Sequence, residues 1–129
     1  MNALGPSKVR TAAKEAWGNV NSVKQVVPGV WVADTWGHGG FLVAVGPNEP
    51  FKLDERLRIG KFEGAGWTAF GTPVLTFYQF EQDCDYAVLL LYHPEIREAA
   101  NRKGIFGPDG LELIDVERVV QSWSPEFLS

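Results

Sequence analysis

An apolar stripe just past the middle of the chain is the strongest helical signal in the sequence. Its members recur at positions i, i+4, i+7, i+8 and i+11, which predicts a helix over residues 79–92. The second half of this segment, from Leu89 to Tyr92, is apolar almost all round. We therefore expect it to be the central, buried helix of the domain. The stripe consists of Phe80, Cys84, Ala87, Val88 and Leu91.

The residues before this stripe are typical of short strands separated by turns. They are rich in β-branched and aromatic side chains and are interrupted by pairs of glycine and proline. A short aromatic piece, Trp67–Phe70, lies between two glycine-containing turns. We predict a small antiparallel sheet within residues 23–77. Its clearest strand candidates are Val23–Val27, Val30–Thr35 and Phe41–Val45.

Three further segments are predicted to be helical. Residues 7–20 carry an apolar stripe and begin with Ser7, a favourable capping residue. Residues 94–103 begin with proline, which is favourable at a first helical position. A last helix is indicated by Val116, Val119, Val120 and Trp123. The whole pattern predicts one α+β domain over residues 1–129, with the central helix covering the sheet and terminal helices flanking it.

Charge is unevenly distributed along the 129 residues. Residues 1–61 carry a net charge of +3 and residues 62–129 carry −7, which gives −4 in total. No Lys or Arg lies between Lys61 and Arg97. Binding of nucleic acid rests on neutralising phosphates, so an acidic chain is unsuited to it. We expect instead a protein partner with a basic surface.

The single cysteine, Cys84, cannot form an internal disulfide, which is typical of a reducing compartment and predicts a cytoplasmic protein. The longest apolar run, Tyr86–Tyr92, is far shorter than a membrane helix, so we expect no membrane partner. With one cysteine and two histidines, a zinc quartet would need carboxylates. We predict no metal and no cofactor, and we leave the oligomeric state open.

A glycine-rich segment around His38 is the first candidate site. Three glycines surround the histidine in the sequence Trp36-Gly37-His38-Gly39-Gly40. Glycines allow close backbone approach, so Trp36 and His38 are candidate binding residues. The alternative is an ordinary tight connection in which His38 bonds a backbone group.

The second candidate site is the acidic segment at residues 80–86. Glu81, Asp83 and Asp85 would lie in the first turns of the predicted helix, where they either bind a basic partner or complement the helix dipole. Cys84 lies on the apolar stripe, which favours an inert core thiol over a nucleophile. A catalytic pair of His38 and Cys84 is the alternative.

These segments resemble those of an uncharacterised domain family of bacteriophages, plasmids and their proteobacterial hosts. The resemblance rests on "HGGF" at 38–41, "FEQDCDYA" at 80–87 and "SWSPEFL" at 122–128, and it covers roughly residues 30–128. The family pattern has a serine, a carboxylate, a tryptophan and an asparagine where this chain has Gly37, Gln82, Tyr86 and Ser124. The resemblance implies an origin in mobile genetic elements and no established activity.

We thus predict a small, acidic, non-enzymatic binding protein of a phage or plasmid. Its expected role is inhibition of a host defence system through protein–protein contact. Its candidate binding residues are Trp36, His38, Glu81, Asp83 and Asp85. The alternative is a small hydrolase or transferase that uses His38 with Cys84 or nearby carboxylates. An aromatic-lined pocket built around that group of side chains would favour the enzyme, and a flat acidic face would favour the binding protein.

Overall fold

A computed structural model describes residues 6–35 and 39–128. Within those ranges, five strands form one sheet and four α-helices pack around it. The strands are β1 (Val20–Val27), β2 (Val30–Thr35), β3 (Gly39–Val45), β4 (Glu63–Ala69) and β5 (Thr72–Glu81). The helices are α1 (Pro6–Trp17), α2 (Asp85–Tyr92), α3 (Pro94–Arg102) and α4 (Leu113–Trp123). Short 3₁₀ helices span Glu55–Leu57, Gly60–Phe62 and Pro125–Leu128.

The sheet has the order β1-β2-β3-β5-β4, and every neighbouring pair is antiparallel. The predicted α+β class with an antiparallel sheet is confirmed. The sheet reaches from residue 20 to residue 81, beyond the predicted limits of 23 and 77. β4 begins at Glu63, before the aromatic piece Trp67–Phe70. The sequence does not indicate this earlier start, because Gly64 and Gly66 weaken the strand pattern.

Both faces of the sheet are covered, which is clearest in β3. Phe41 and Val43 face one side, whereas Leu42 and Ala44 face the other, and all four are at most 2% exposed. Helices α2, α3 and α4 cover the first face. Helix α1 covers the second face with Val9, Ala12 and Ala13. The sheet is therefore the middle layer between two separate cores.

The predicted helix over residues 79–92 is wrong in its first half. Residues up to Glu81 belong to β5, and α2 begins only at Asp85. Phe77 faces the α1 side while Tyr78 and Phe80 line the other core. A strand buried on both faces reads as an almost continuous apolar run, so periodicity alone does not separate it from a buried helix. The buried half is confirmed, since Ala87–Leu90 are fully buried.

The other helices begin and end close to the predicted positions. Helix α1 ends at Trp17, three residues early, because Gly18 at φ +89° closes it with a hydrogen bond to the Lys14 carbonyl. Pro94 occupies the first turn of α3, as predicted. The start of α4 is capped reciprocally by Glu112 and Asp115.

His93 fixes the long connection between β3 and β4 to the helices. The residue is 8% exposed, and its Nε2 accepts the Asp54 N–H at 3.0 Å. Its Nδ1 lies 3.3 Å from a Glu95 carboxylate oxygen. The Phe51 ring packs edge-on against it, with 4.8 Å between centroids. This histidine is therefore a structural residue, a role for which the sequence carries no signal.

Candidate functional site

The structure brings the two segments that stand out in the sequence side by side. The start of β3 pairs with the end of β5, so that Phe41 lies opposite Phe80 and Gly40 opposite Glu81. The Gln82 N–H then donates a hydrogen bond to the Gly39 carbonyl at 2.8 Å. The glycine segment and the acidic segment therefore form one end of the sheet.

Gly39 and Gly40 are strand residues whose lack of a side chain is required by packing. A Cβ on Gly40 would collide with the Phe80 carbonyl oxygen, and one on Gly39 would lie 2.5 Å from the Ala33 carbonyl oxygen. The predicted glycine loop is therefore wrong for these two residues. The predicted binding residues Trp36 and His38 lie outside the described residues.

A cleft of about 630 Å³ opens beside this junction. Such a volume falls within the range of ligand sites, roughly 300–1,000 Å³. The sheet forms one wall, and α2 with the segment after α3 forms the other. Its polar rim comprises Ser22, Lys24, Asp34, Gln82, Asp83 and Lys103. Its apolar lining comprises Val32, Ala33, Phe41, Tyr86, Ile105 and Phe106.

Three aromatic rings form the inner part of the cleft. Phe106 lies 6.0 Å from Phe41 and 6.2 Å from Tyr86, centroid to centroid. Burial, and then the nearby Asp115 carboxylate, raise the pKa of the Tyr86 hydroxyl above its ordinary value. The phenol is therefore neutral at physiological pH and can donate a hydrogen bond.

The rim carries charges of both signs. Lys24, on β1, donates a 3.5 Å hydrogen bond to the carbonyl of Lys103, just after α3. Asp34 comes from β2, where it lies opposite Gly39, and Asp83 comes from the turn between β5 and α2. All four side chains are exposed. A ligand with an apolar body and a charged end fits these features.

The three predicted acidic residues do not share a helix. Glu81 ends β5, Asp83 lies in the following turn, and Asp85 is the first residue of α2. Of the three, only Asp83 lines the cleft. The prediction of one acidic patch at a helix start is corrected to a set of carboxylates spread along a strand–turn–helix junction.

Cys84 is placed differently from the sequence prediction. It precedes α2 as a half-buried residue instead of lying on the buried stripe, and it does not line the cleft. Its Sγ donates to an Asp85 carboxylate oxygen at 3.6 Å. Burial, followed by Asp85 and Glu81, raises the pKa of the thiol. A protonated thiol is a poor nucleophile, so the geometry gives Cys84 no catalytic activation.

Several cleft residues could not be identified from the sequence. Lys24, Asp34 and Lys103 are isolated charges in the sequence: pairing of β1 with β2 brings the first two together, and the segment after α3 brings Lys103 beside them. Ile105 and Phe106 carried a weak signal, because two apolar residues stand between Gly104 and Gly107 in a connection. Among the described residues, no helix has both the length and the apolarity needed to cross a bilayer. In those same ranges, no three His, Cys, Asp or Glu side chains are grouped to hold a metal ion.

Fold and cleft define a small α+β protein whose described strands form an antiparallel sheet with an open, partly aromatic cleft at one end. The chain belongs to the family described as "Domain of unknown function (DUF7007)", whose model matches residues 10–127. Membership of an uncharacterised domain family, which the short motifs predicted, is thereby confirmed. No curated protein and no solved structure matches the chain.

Proposed function

We propose that this chain is a non-enzymatic binding protein that holds a basic side chain of a partner protein in its cleft. The observation that carries the proposal is the combination of an aromatic interior with the carboxylates of Asp34 and Asp83 at the rim. The stem of an arginine or lysine packs on aromatic rings, while its charged end pairs with a carboxylate. The net charge of −7 on residues 62–129 adds a longer-range attraction to a basic surface.

Lys24 and Lys103 restrict what the cleft accepts. Their positive charges disfavour a dense cluster of cations, so one inserted basic side chain fits better than a polybasic stretch. The two ammonium groups would pair with carbonyl or carboxylate oxygens next to that side chain. The phage or plasmid origin implied by the motifs makes a host protein the proposed partner, and inhibition of a host defence complex the proposed role.

The test is affinity capture from the native host followed by binding measurements with the captured protein. The variant Asp34→Asn/Asp83→Asn removes both rim carboxylates. Glu15→Gln/Glu98→Gln is the matched control, because it changes the net charge equally at exposed positions outside the cleft. We expect the cleft variant to weaken binding at least tenfold at low salt and the control to change it less than threefold. Equal effects of both variants would reject the cleft as the binding site.

The alternative of a small hydrolase or transferase using His38 is favoured by one observation. The cleft is aromatic-lined, and its wall residue Gly40 stands two positions after His38. In this alternative His38 acts with carboxylates, and Asp34 and Asp83 are the carboxylates that line the cleft. Hydrolysis of nitrophenyl esters and phosphates, lost in His38→Ala, tests this alternative. Equal rates for wild type and His38→Ala would exclude the histidine from such chemistry.

A further inference from the structure

The hairpin of β4 and β5 ends in an unusual turn. Ala69 pairs with Thr72, so only Phe70 and Gly71 connect the strands. Both have positive φ angles, 54° and 77° respectively. Such a mirror-image two-residue turn follows the twist of the strands and favours Asn, Asp or Gly at its first position. Here a phenylalanine occupies that position.

Phe70 is unfavourable at this site in two independent ways. It is the only residue other than glycine with a positive φ among the described residues, and a bulky side chain is strained there. Its side chain is also completely exposed, at 107% of the reference area. Folding therefore gains nothing from this ring, whereas asparagine would fit the turn. No contact within the described part of the chain accounts for either feature.

The surroundings of Phe70 indicate what kind of surface it meets. Residues 68–74 are all exposed, and no charged residue occurs between Glu63 and Glu81. The nearby cation of Lys8 lies over the Trp67 ring, 5.6 Å from its centroid. Stable attachment to lipid takes a second signal, such as a basic patch, beyond one small apolar group. An uncharged tip with one large ring fits a shaped apolar pocket.

We propose that Phe70 is an anchor that inserts into an apolar pocket of a partner protein. The tip and the cleft lie at opposite ends of β5, about 30 Å apart at the usual rise of a strand. The anchor is therefore a second contact site, separate from the cleft. Its chemistry is apolar, so its binding does not depend on the rim carboxylates.

The test begins with a photoreactive phenylalanine analogue placed at position 70 in the native host, and at Thr72 as a control on the same tip. The protein cross-linked from position 70 is then purified, and its affinity is measured for wild type, Phe70→Asn and Ile114→Asn. Ile114 is a matched exposed apolar residue on α4, 52% exposed. We expect Phe70→Asn to raise the melting temperature yet weaken binding at least tenfold, and Ile114→Asn to leave binding unchanged.

Four results would overturn the anchor. The first two concern cross-linking: position 70 yields no cross-linked protein, or it yields only a second copy of the chain. The third is an unchanged affinity of Phe70→Asn for the partner. The fourth is that wild type binds lipid vesicles and Phe70→Asn does not. The vesicles would contain phosphatidylcholine and phosphatidylglycerol, so that a lipid contact is detected directly. The variant Asp34→Asn/Asp83→Asn is measured alongside. If this double variant loses binding while Phe70→Asn binds as tightly as wild type, the anchor is rejected and the cleft proposal stands.

Discussion

Gly40 shows how one residue sets the geometry of the cleft. A side chain there would strike the Phe80 carbonyl, and neither strand can move without disturbing the pairing of β3 with β5. We expect Gly40→Ala to lower the free energy of unfolding by about 2 kcal/mol, the scale of overpacking. Gly60→Ala is the control, since a Cβ on Gly60 meets nothing within 4 Å. Equal melting temperatures for the two variants would contradict the close approach.

The thiol of Cys84 should react slowly. Its pKa is raised by burial and by the neighbouring carboxylates, so at pH 8 the folded protein holds less thiolate than the unfolded chain. We expect iodoacetamide to alkylate Cys84 more slowly in the native protein than in urea. Cys84→Ala should cost less than about 1 kcal/mol, because the side chain is only half-buried. Faster alkylation of the native protein would indicate an activated thiol.

The two histidines should differ in their effect on stability. His93→Ala removes the acceptor of the Asp54 N–H and the contact with Phe51, so we expect a loss of about 2–3 kcal/mol in urea unfolding. His38→Ala is predicted from the sequence to leave the fold intact, and the same urea unfolding measures its effect. A comparable loss of stability in both variants would make His38 a structural residue and remove it from the candidate site.

At the scale of elements, the junction of β5 and α2 separates two roles that the sequence merges. Asp85 begins α2, whereas Asp83 stands in the preceding turn and lines the cleft. We expect Asp85→Asn to lower stability by about 0.5 kcal/mol through the helix dipole, without changing partner affinity. Asp83→Asn should weaken binding of the partner, because this carboxylate lines the cleft. Loss of affinity in Asp85→Asn alone would restore the helix-start patch as the binding surface.

The same junction shows what the sequence can and cannot determine. The strands β2 and β3, the buried half of α2 and the proline start of α3 follow from local patterns. The strand conformation of residues 79–81 does not follow from local patterns, because Phe80 fits the helical stripe and the strand alternation equally well. Pairing with β3 decides between them, and pairing is a tertiary property. The full length of β4 cannot be predicted from the sequence for a related reason. It is an edge strand, and an edge strand tolerates glycines that weaken the local strand pattern.

At the scale of the whole molecule, the cleft is a product of the topology. Its walls come from β1, β2, β3, the β5–α2 turn, α2 and the segment after α3, so no local motif contains it. Of its lining residues, only Asp83 is a candidate from the sequence, and Gly40 lies in the glycine-rich segment that contains the candidates Trp36 and His38. Asp34 reaches the cleft because the sheet order places β2 beside β3, and Phe106 reaches it because the segment after α3 packs over that end of the sheet.

The most direct test of the cleft is a map of backbone and aromatic NMR shifts as the captured partner is added. Binding in the cleft predicts the largest changes at Gly40, Asp83 and Gly104, together with the rings of Tyr86 and Phe106, and these changes should disappear in Asp34→Asn/Asp83→Asn. Shifts confined to residues outside the cleft, or unchanged in that variant, would contradict the proposed binding site.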